Sequence, residues 1–128
     1  MILPGAIDIQ ERLDAVANHW RPHTIAELNG QEVKVVKLLG EFPWHHHDDI
    51  DELFLGWRGT FRMDFCDHSV IVGPGQCLLV PRGVEHRPVA EQEAEILLFE
   101  PVGVRNTGNV VDERFTAPGS VHIGRTPS

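Results

Sequence analysis

The residues best suited to chemistry sit in one short stretch, Trp44-His45-His46-His47-Asp48-Asp49-Ile50-Asp51-Glu52-Leu53-Phe54. His45 and His47 are two apart, so an extended backbone puts both imidazoles on one face and turns His46 to the other. Four residues separate His47 from Glu52. Glu52 opens an apolar run and can face the same interior from a returning strand. Imidazole nitrogens and a carboxylate oxygen make a donor set for one divalent transition metal: Fe, Mn, Ni, Co, Cu or Zn. A fourth ligand is expected downstream. His86, in Pro81-Arg82-Gly83-Val84-Glu85-His86, is the candidate.

The elements that must hold these side chains follow from periodicity. Asp8, with Glu11 three residues on, signals a helix start. Ile9, Leu13, Val16 and Trp20 share one stripe at helical spacing, and Pro22 closes it. A short N-terminal helix of about three turns is expected there, packing its stripe on the main body. Beyond it the period becomes extended. Asn29-Gly30 marks a hairpin between Thr24–Leu28 and Gln31–Leu39. Short apolar runs then recur at Leu53–Trp57, Thr60–Phe65, Ser69–Val72, Cys77–Val80 and Ile96–Phe99, each stopped by turn residues. This reads as an all-β sandwich or barrel. If Glu52 faces inward, so do Phe54, Gly56 and Arg58. Leu53, Leu55 and Trp57 then form a second apolar face, which the N-terminal hairpin and helix, or a second copy of the chain, must cover. The tail, with Gly108, Pro118, Gly119, Gly124 and Pro127, is expected to be irregular. One short edge strand is expected at Val110-Val111 and Glu113–Phe115, and mobile last residues.

These residues resemble the cupins. Gly40, His45-x-His47, Glu52 and Gly59 look like the first cupin motif, and Gly75, Pro81-x-Gly83 and His86 like the second, with fifteen residues, Thr60 to Pro74, between them. The resemblance spans roughly residues 33–101. It implies a double-stranded β-helix, a jelly-roll barrel often found as a dimer, with its metal on His45, His47, Glu52 and His86. The expected organisation is an N-terminal helix and hairpin over 1–32, a barrel over 33–108 and a tail over 109–128. Asp51–Leu55, Glu85–Ala90, Glu100-Pro101 and Asn106-Thr107-Gly108 are further similar to small cupins described as mannose-6-phosphate-isomerase-like, a label of fold similarity and not of sugar chemistry. Two departures stand out: four residues instead of five between Gly40 and His45, and Ala90 where an Asn commonly closes the second motif. Neither position is a ligand.

Around the metal, Phe54 and Arg58 line the pocket by parity with Glu52. Arg62 is placed there as well, where an arginine favours an anionic substrate. Glu100 is read as a rim residue or a general base. The chain has no tyrosine, so a mechanism with a tyrosine base has no agent. A formal charge of -8 and the absence of a basic cluster argue against nucleic acid. No apolar segment approaches the roughly 18 residues of a membrane span. Cys66 and Cys77 are too few for a disulfide scaffold. The start, Met1-Ile2-Leu3-Pro4-Gly5, has no basic region followed by an apolar run. A cytoplasmic protein, a homodimer and a small-molecule ligand are expected. The function expected is that of a metal-dependent enzyme of oxygenase, isomerase or lyase type on a small polar metabolite. The alternatives are a non-catalytic ligand- or metal-sensing module, or a metal that is structural only.

Overall fold

In the computed structural model, which describes residues 3–118 and 122–124, the Asp8 side chain accepts from the Glu11 amide at 3.0 Å. This cap opens helix α1, Ile9–Asp14. The helix is half the expected length, because tertiary contacts claim the residues beyond Ala15. Trp20 takes a left-handed φ of 62°. Its amide bonds the Lys37 carbonyl at 2.8 Å, and its indole N–H donates to the Leu39 carbonyl at 2.7 Å. The expected stripe is therefore split. Leu13 and Val16 pack on the outside of the sheet, while Trp20 enters the barrel interior.

Strands β1 (His23–Leu28) and β2 (Gln31–Glu41) form the expected hairpin. Its turn residues, Asn29 at φ 52° and Gly30 at φ 78°, both adopt the positive φ that a tight two-residue turn requires. β3 (Glu52–Arg58), β4 (Phe61–Phe65), β5 (Ser69–Val72), β6 (Cys77–Val80) and β7 (His86–Pro101) follow. All pairings between these strands are antiparallel. The main path runs β1-β2-β7-β3-β6, with β4 joining β7 to β5. The sixteen residues of β7 organise the barrel. One edge of β7 pairs with β2. The other edge is shared, with β4 along His86–Val89 and β3 along Glu95–Phe99. One strand serving two partners in succession curls the sheet on itself. Register shifts at Leu38/Gly40 and Gly56/Arg58 sharpen the bend. The fold is all-β, a double-stranded β-helix.

The inner core gathers Val36, Leu38, Phe54, Phe61, Met63, Ile96 and Leu98. A second cluster lies outside the sheet, where Leu13 and Val16 of the N-terminal segment meet Val35 and Leu97, with Leu55 and Phe99 packed alongside. Full burial of Leu13 contributes roughly 2 kcal/mol. Trp57 donates its indole N–H to the Gln10 side chain at 2.9 Å. The N-terminal segment thus covers much of the second apolar face of β3.

Residues 102–118 form turns, and no strand occurs at Val110-Val111 or Glu113–Phe115. Asp112 Oδ1 accepts from the amides of Arg114 and Phe115 at 2.8 and 3.1 Å, which curls the chain locally. Asn106 donates to the Phe115 carbonyl and accepts from the Ala117 amide, both at 2.8 Å. Phe115 is thereby set against Trp20 and Phe42, with ring centroids 6.5 and 5.4 Å away. The expectation about the last residues concerns 125–128, outside the described residues.

Candidate metal centre

The two histidine-bearing stretches are locked together by backbone before any side chain is considered. The His45 amide bonds the His86 carbonyl at 3.0 Å, and the His86 amide returns the bond at 2.9 Å. The Gly83 amide bonds the His47 carbonyl at 2.7 Å, which ties the turn before His86 to the segment carrying His47. On the far side, Asn109 clamps the backbone of His46: its amide bonds the His46 carbonyl at 3.0 Å, and its Oδ1 accepts the His46 amide at 2.9 Å. Gly108 makes this approach possible. A Cβ there would stand 2.1 Å from the His46 carbonyl oxygen.

Within this frame His45, His47, Glu52 and His86 are all buried, and their donor atoms lie within 4.8 Å of one another. Nδ1 of His45 faces the Pro43 carbonyl at 2.9 Å, and Nδ1 of His86 faces the Val84 carbonyl at 2.9 Å. A carbonyl can only accept, so both rings carry hydrogen on Nδ1 and leave Nε2 with a lone pair. His47 Nε2 and His86 Nε2 come within 2.9 and 3.4 Å of Glu52 Oε1. Even so, none of these three buried atoms has a hydrogen-bond partner. Buried polar atoms are ordinarily satisfied. Three lone-pair atoms left unsatisfied around one point fit a cation, and the N₃O set suits a divalent transition metal.

The electrostatics agree. Burial, the nearby His86 ring and the His47 ring push the His45 pKa down to about 4, so the ring is neutral at pH 7, as a metal ligand must be. Burial opposes ionisation of Glu52, but polar contacts with His47, His86 and Glu100 outweigh it and hold its carboxyl well below the usual range. His46 turns away as its parity requires. Its ring sits between Glu85 at 2.8 Å and Asp48 at 3.0 Å, and the Glu85 hydrogen bond raises its pKa.

The pocket residues named from sequence fare differently. Phe54 is buried beside the site and forms part of the pocket wall. Arg58 does not join it. The register shift between Gly56 and Arg58 breaks the alternation, and Arg58 lies 71% exposed, 3.8 Å from Glu95. Arg62 alternates with the inward Phe61 and Met63 and instead bonds Asp64 at 2.6 Å. Glu100 is not on a rim. It is fully buried and accepts from the equally buried Lys34 at 2.7 Å. Its second oxygen has no hydrogen-bond partner. Burial and the neighbouring Glu52 carboxyl raise its pKa well above the ordinary value. Lys34 had a sequence signal that sequence reasoning missed, a charge at an inward register position between Val33 and Val35.

Residues 34–100 match the family model described as a cupin domain. The chain belongs to the cupin family. Among its relatives, an uncharacterised Bacillus subtilis protein, YdbB, is 35% identical over 105 residues, covering 70% of this chain and 93% of that protein. A cupin-2 domain protein of Shewanella frigidimarina superposes with a TM-score of 0.73 at 39% identity, over 74% of this chain and 93% of the other. A Neisseria meningitidis protein gives 0.70 at 32% identity, over 76% and 99%. No described helix of this cupin is long and apolar enough to cross a membrane.

Proposed function

We propose that this cupin is a metal-dependent enzyme acting on a small metabolite, with one divalent transition metal held by His45, His47, Glu52 and His86. The observation that carries this reading is the set of unsatisfied buried atoms, His47 Nε2, Glu52 Oε1 and His86 Nε2, converging with His45. Structural metal sites are usually closed, whereas four protein ligands leave an octahedral ion two further positions. When bound, the metal would act as a Lewis acid toward a substrate oxygen or as a redox centre, which accommodates oxygenase, isomerase or lyase chemistry. The protein's part is to hold the His45 and His86 imidazoles in fixed orientation through the Pro43 and Val84 carbonyls, and to exclude water with the Trp20, Phe42 and Phe115 rings.

A binding or sensing module is the second reading. It is favoured by the placement of Glu100, which is engaged with Lys34. That pairing commits one carboxyl oxygen of Glu100, and the polar side chains on the pocket wall are metal ligands or already hydrogen-bonded. Metal analysis of untagged protein, followed by O₂ consumption and product analysis over a panel of small oxygenated metabolites, separates the two. Turnover that vanishes in His86→Ala supports the enzyme, while binding without turnover supports the module. Metal content near zero removes both.

We also propose a homodimer. Leu79, on the free edge strand, is 56% exposed beside the half-buried Leu53, an apolar strip a second copy would cover. A light-scattering mass of 14.4 kDa at micromolar concentration would refute it. The cytoplasm is the proposed compartment, supported by two exposed, unpaired thiols, Cys66 and Cys77. Recovery from an oxidising compartment on cell fractionation would count against it.

A further inference from the structure

The cavity that reaches His45 and Glu52 is walled by Trp20, Leu38, Phe42, Phe54, Ile96 and Leu98 and has a volume of about 40 Å³. Apart from the metal ligands, the polar side-chain groups on this wall are already committed. The Trp20 indole N–H is spent on the Leu39 carbonyl at 2.7 Å. Asn106 also lines the cavity, but its Nδ2 donates to the carbonyls of Phe115 at 2.8 Å and Trp20 at 3.4 Å, and its Oδ1 accepts the Ala117 amide at 2.8 Å. What remains is His45 Nε2 and the Glu52 carboxylate, two of the metal's ligands. Nearby cations are paired elsewhere: Arg58 with Glu95, Arg62 and Arg87 with Asp64, Lys34 with Glu100.

Building on the metal reading above, we propose that the ligand is a small molecule with one or two adjacent oxygen donors at one end and an uncharged, apolar body. The metal is its only polar partner. Three neutral imidazoles and one carboxylate leave a divalent ion a net charge of +1, which matches a single negative charge at the donor end. A charge on the body would be buried against carbon with no partner, which is strongly disfavoured. At roughly 10–15 Å³ per water the cavity holds about three waters, the room of a short alkyl chain. Arg58 and Arg62 would have implied an anionic body. With both turned out of the barrel, the preference reverses.

The test uses untagged protein loaded with Co²⁺ and two hydroxamates of equal length. Butanohydroxamate ends in a methyl group, and succinic monohydroxamate ends in a carboxylate. Both offer the same two donor oxygens, and binding is read from the visible cobalt spectrum. The methyl-ended probe should bind at least about tenfold more tightly. From acetohydroxamate to butanohydroxamate, affinity should rise by roughly fourfold per methylene. Leu38→Ala, checked for retained cobalt, should move the optimum to a longer chain. Cobalt bound with equal or reversed preference between the two tails overturns this inference and leaves the metal reading intact. Protein that takes up no cobalt overturns both.

Discussion

Replacing Glu52 by Gln keeps the volume of the side chain and removes the one anionic ligand among the four. The site predicts a large effect on metal-linked stability, read as the shift between metal-free and metal-loaded forms of the same protein. Metal at one hundred times its Kd stabilises the native state by about 2.7 kcal/mol. For 128 residues, an unfolding entropy near 2.1 cal/mol/K per residue sums to roughly 270 cal/mol/K, so the midpoint should rise by about 10 °C. Loss of groups that merely orient a ligand costs about 10–100-fold in affinity, and loss of a charged ligand should reach at least the upper end. At the same metal concentration Glu52→Gln then sits near its Kd, with about 0.4 kcal/mol of stabilisation and a rise of roughly 1–2 °C. Chelator-treated protein, scanned by calorimetry with and without metal and counted for bound metal, measures both numbers. A full 10 °C rise in Glu52→Gln, with one metal bound, would refute the assignment. It would redirect attention to Glu27, Glu32 and His122, the other described group with donor atoms close enough to share an ion.

Lys34→Met should cost about 3–5 kcal/mol by stranding the buried Glu100 carboxyl, and adding Glu100→Leu should recover most of it; purely additive losses in urea would exclude such coupling. Gly108→Ala at φ +56° places a Cβ 2.1 Å from the His46 carbonyl oxygen. It should cost about 1–3 kcal/mol and weaken metal binding by freeing the His45–His47 segment, so unchanged metal affinity in a calorimetric titration would show that the Asn109 clamp does not hold the ligands. The metal-free protein should lose stability on acidification. His45 titrates at about 4 when folded against 6.5 unfolded, so the unfolded chain takes up its proton first, and up to about 3 kcal/mol disappears as pH falls from 6.5 to 4. Glu52, with its lowered pKa, adds to that loss, and Glu100, with its raised pKa, opposes it. His45→Gln should flatten the profile relative to the parent, and parallel stability-pH curves for the two proteins would contradict the burial argument.

Side-chain parity paired His45 with His47, because a pair on one extended segment is a local property with a period of two. Glu52 and His86 joined them through motif spacing that resembles the cupins, and the structure brings the donor atoms of all four within 4.8 Å of one another. Hairpin chemistry at Asn29-Gly30 is equally local, as are the turn residues that separate the strands. Local rules failed where a distant contact outbid them. The helix stripe broke because Trp20 finds the Leu39 carbonyl and the barrel interior instead of a third helical turn. Arg58 left the pocket because one irregularity after Gly56 reversed its facing. Glu100 became buried because Lys34, sixty-six residues away in the chain, meets it across paired strands. The sequence by itself named the residues that could hold a metal. Only the tertiary structure decided what stands beside it. The composition of that wall depends on register, and register is set by pairings between strands far apart in sequence, which no local pattern encodes.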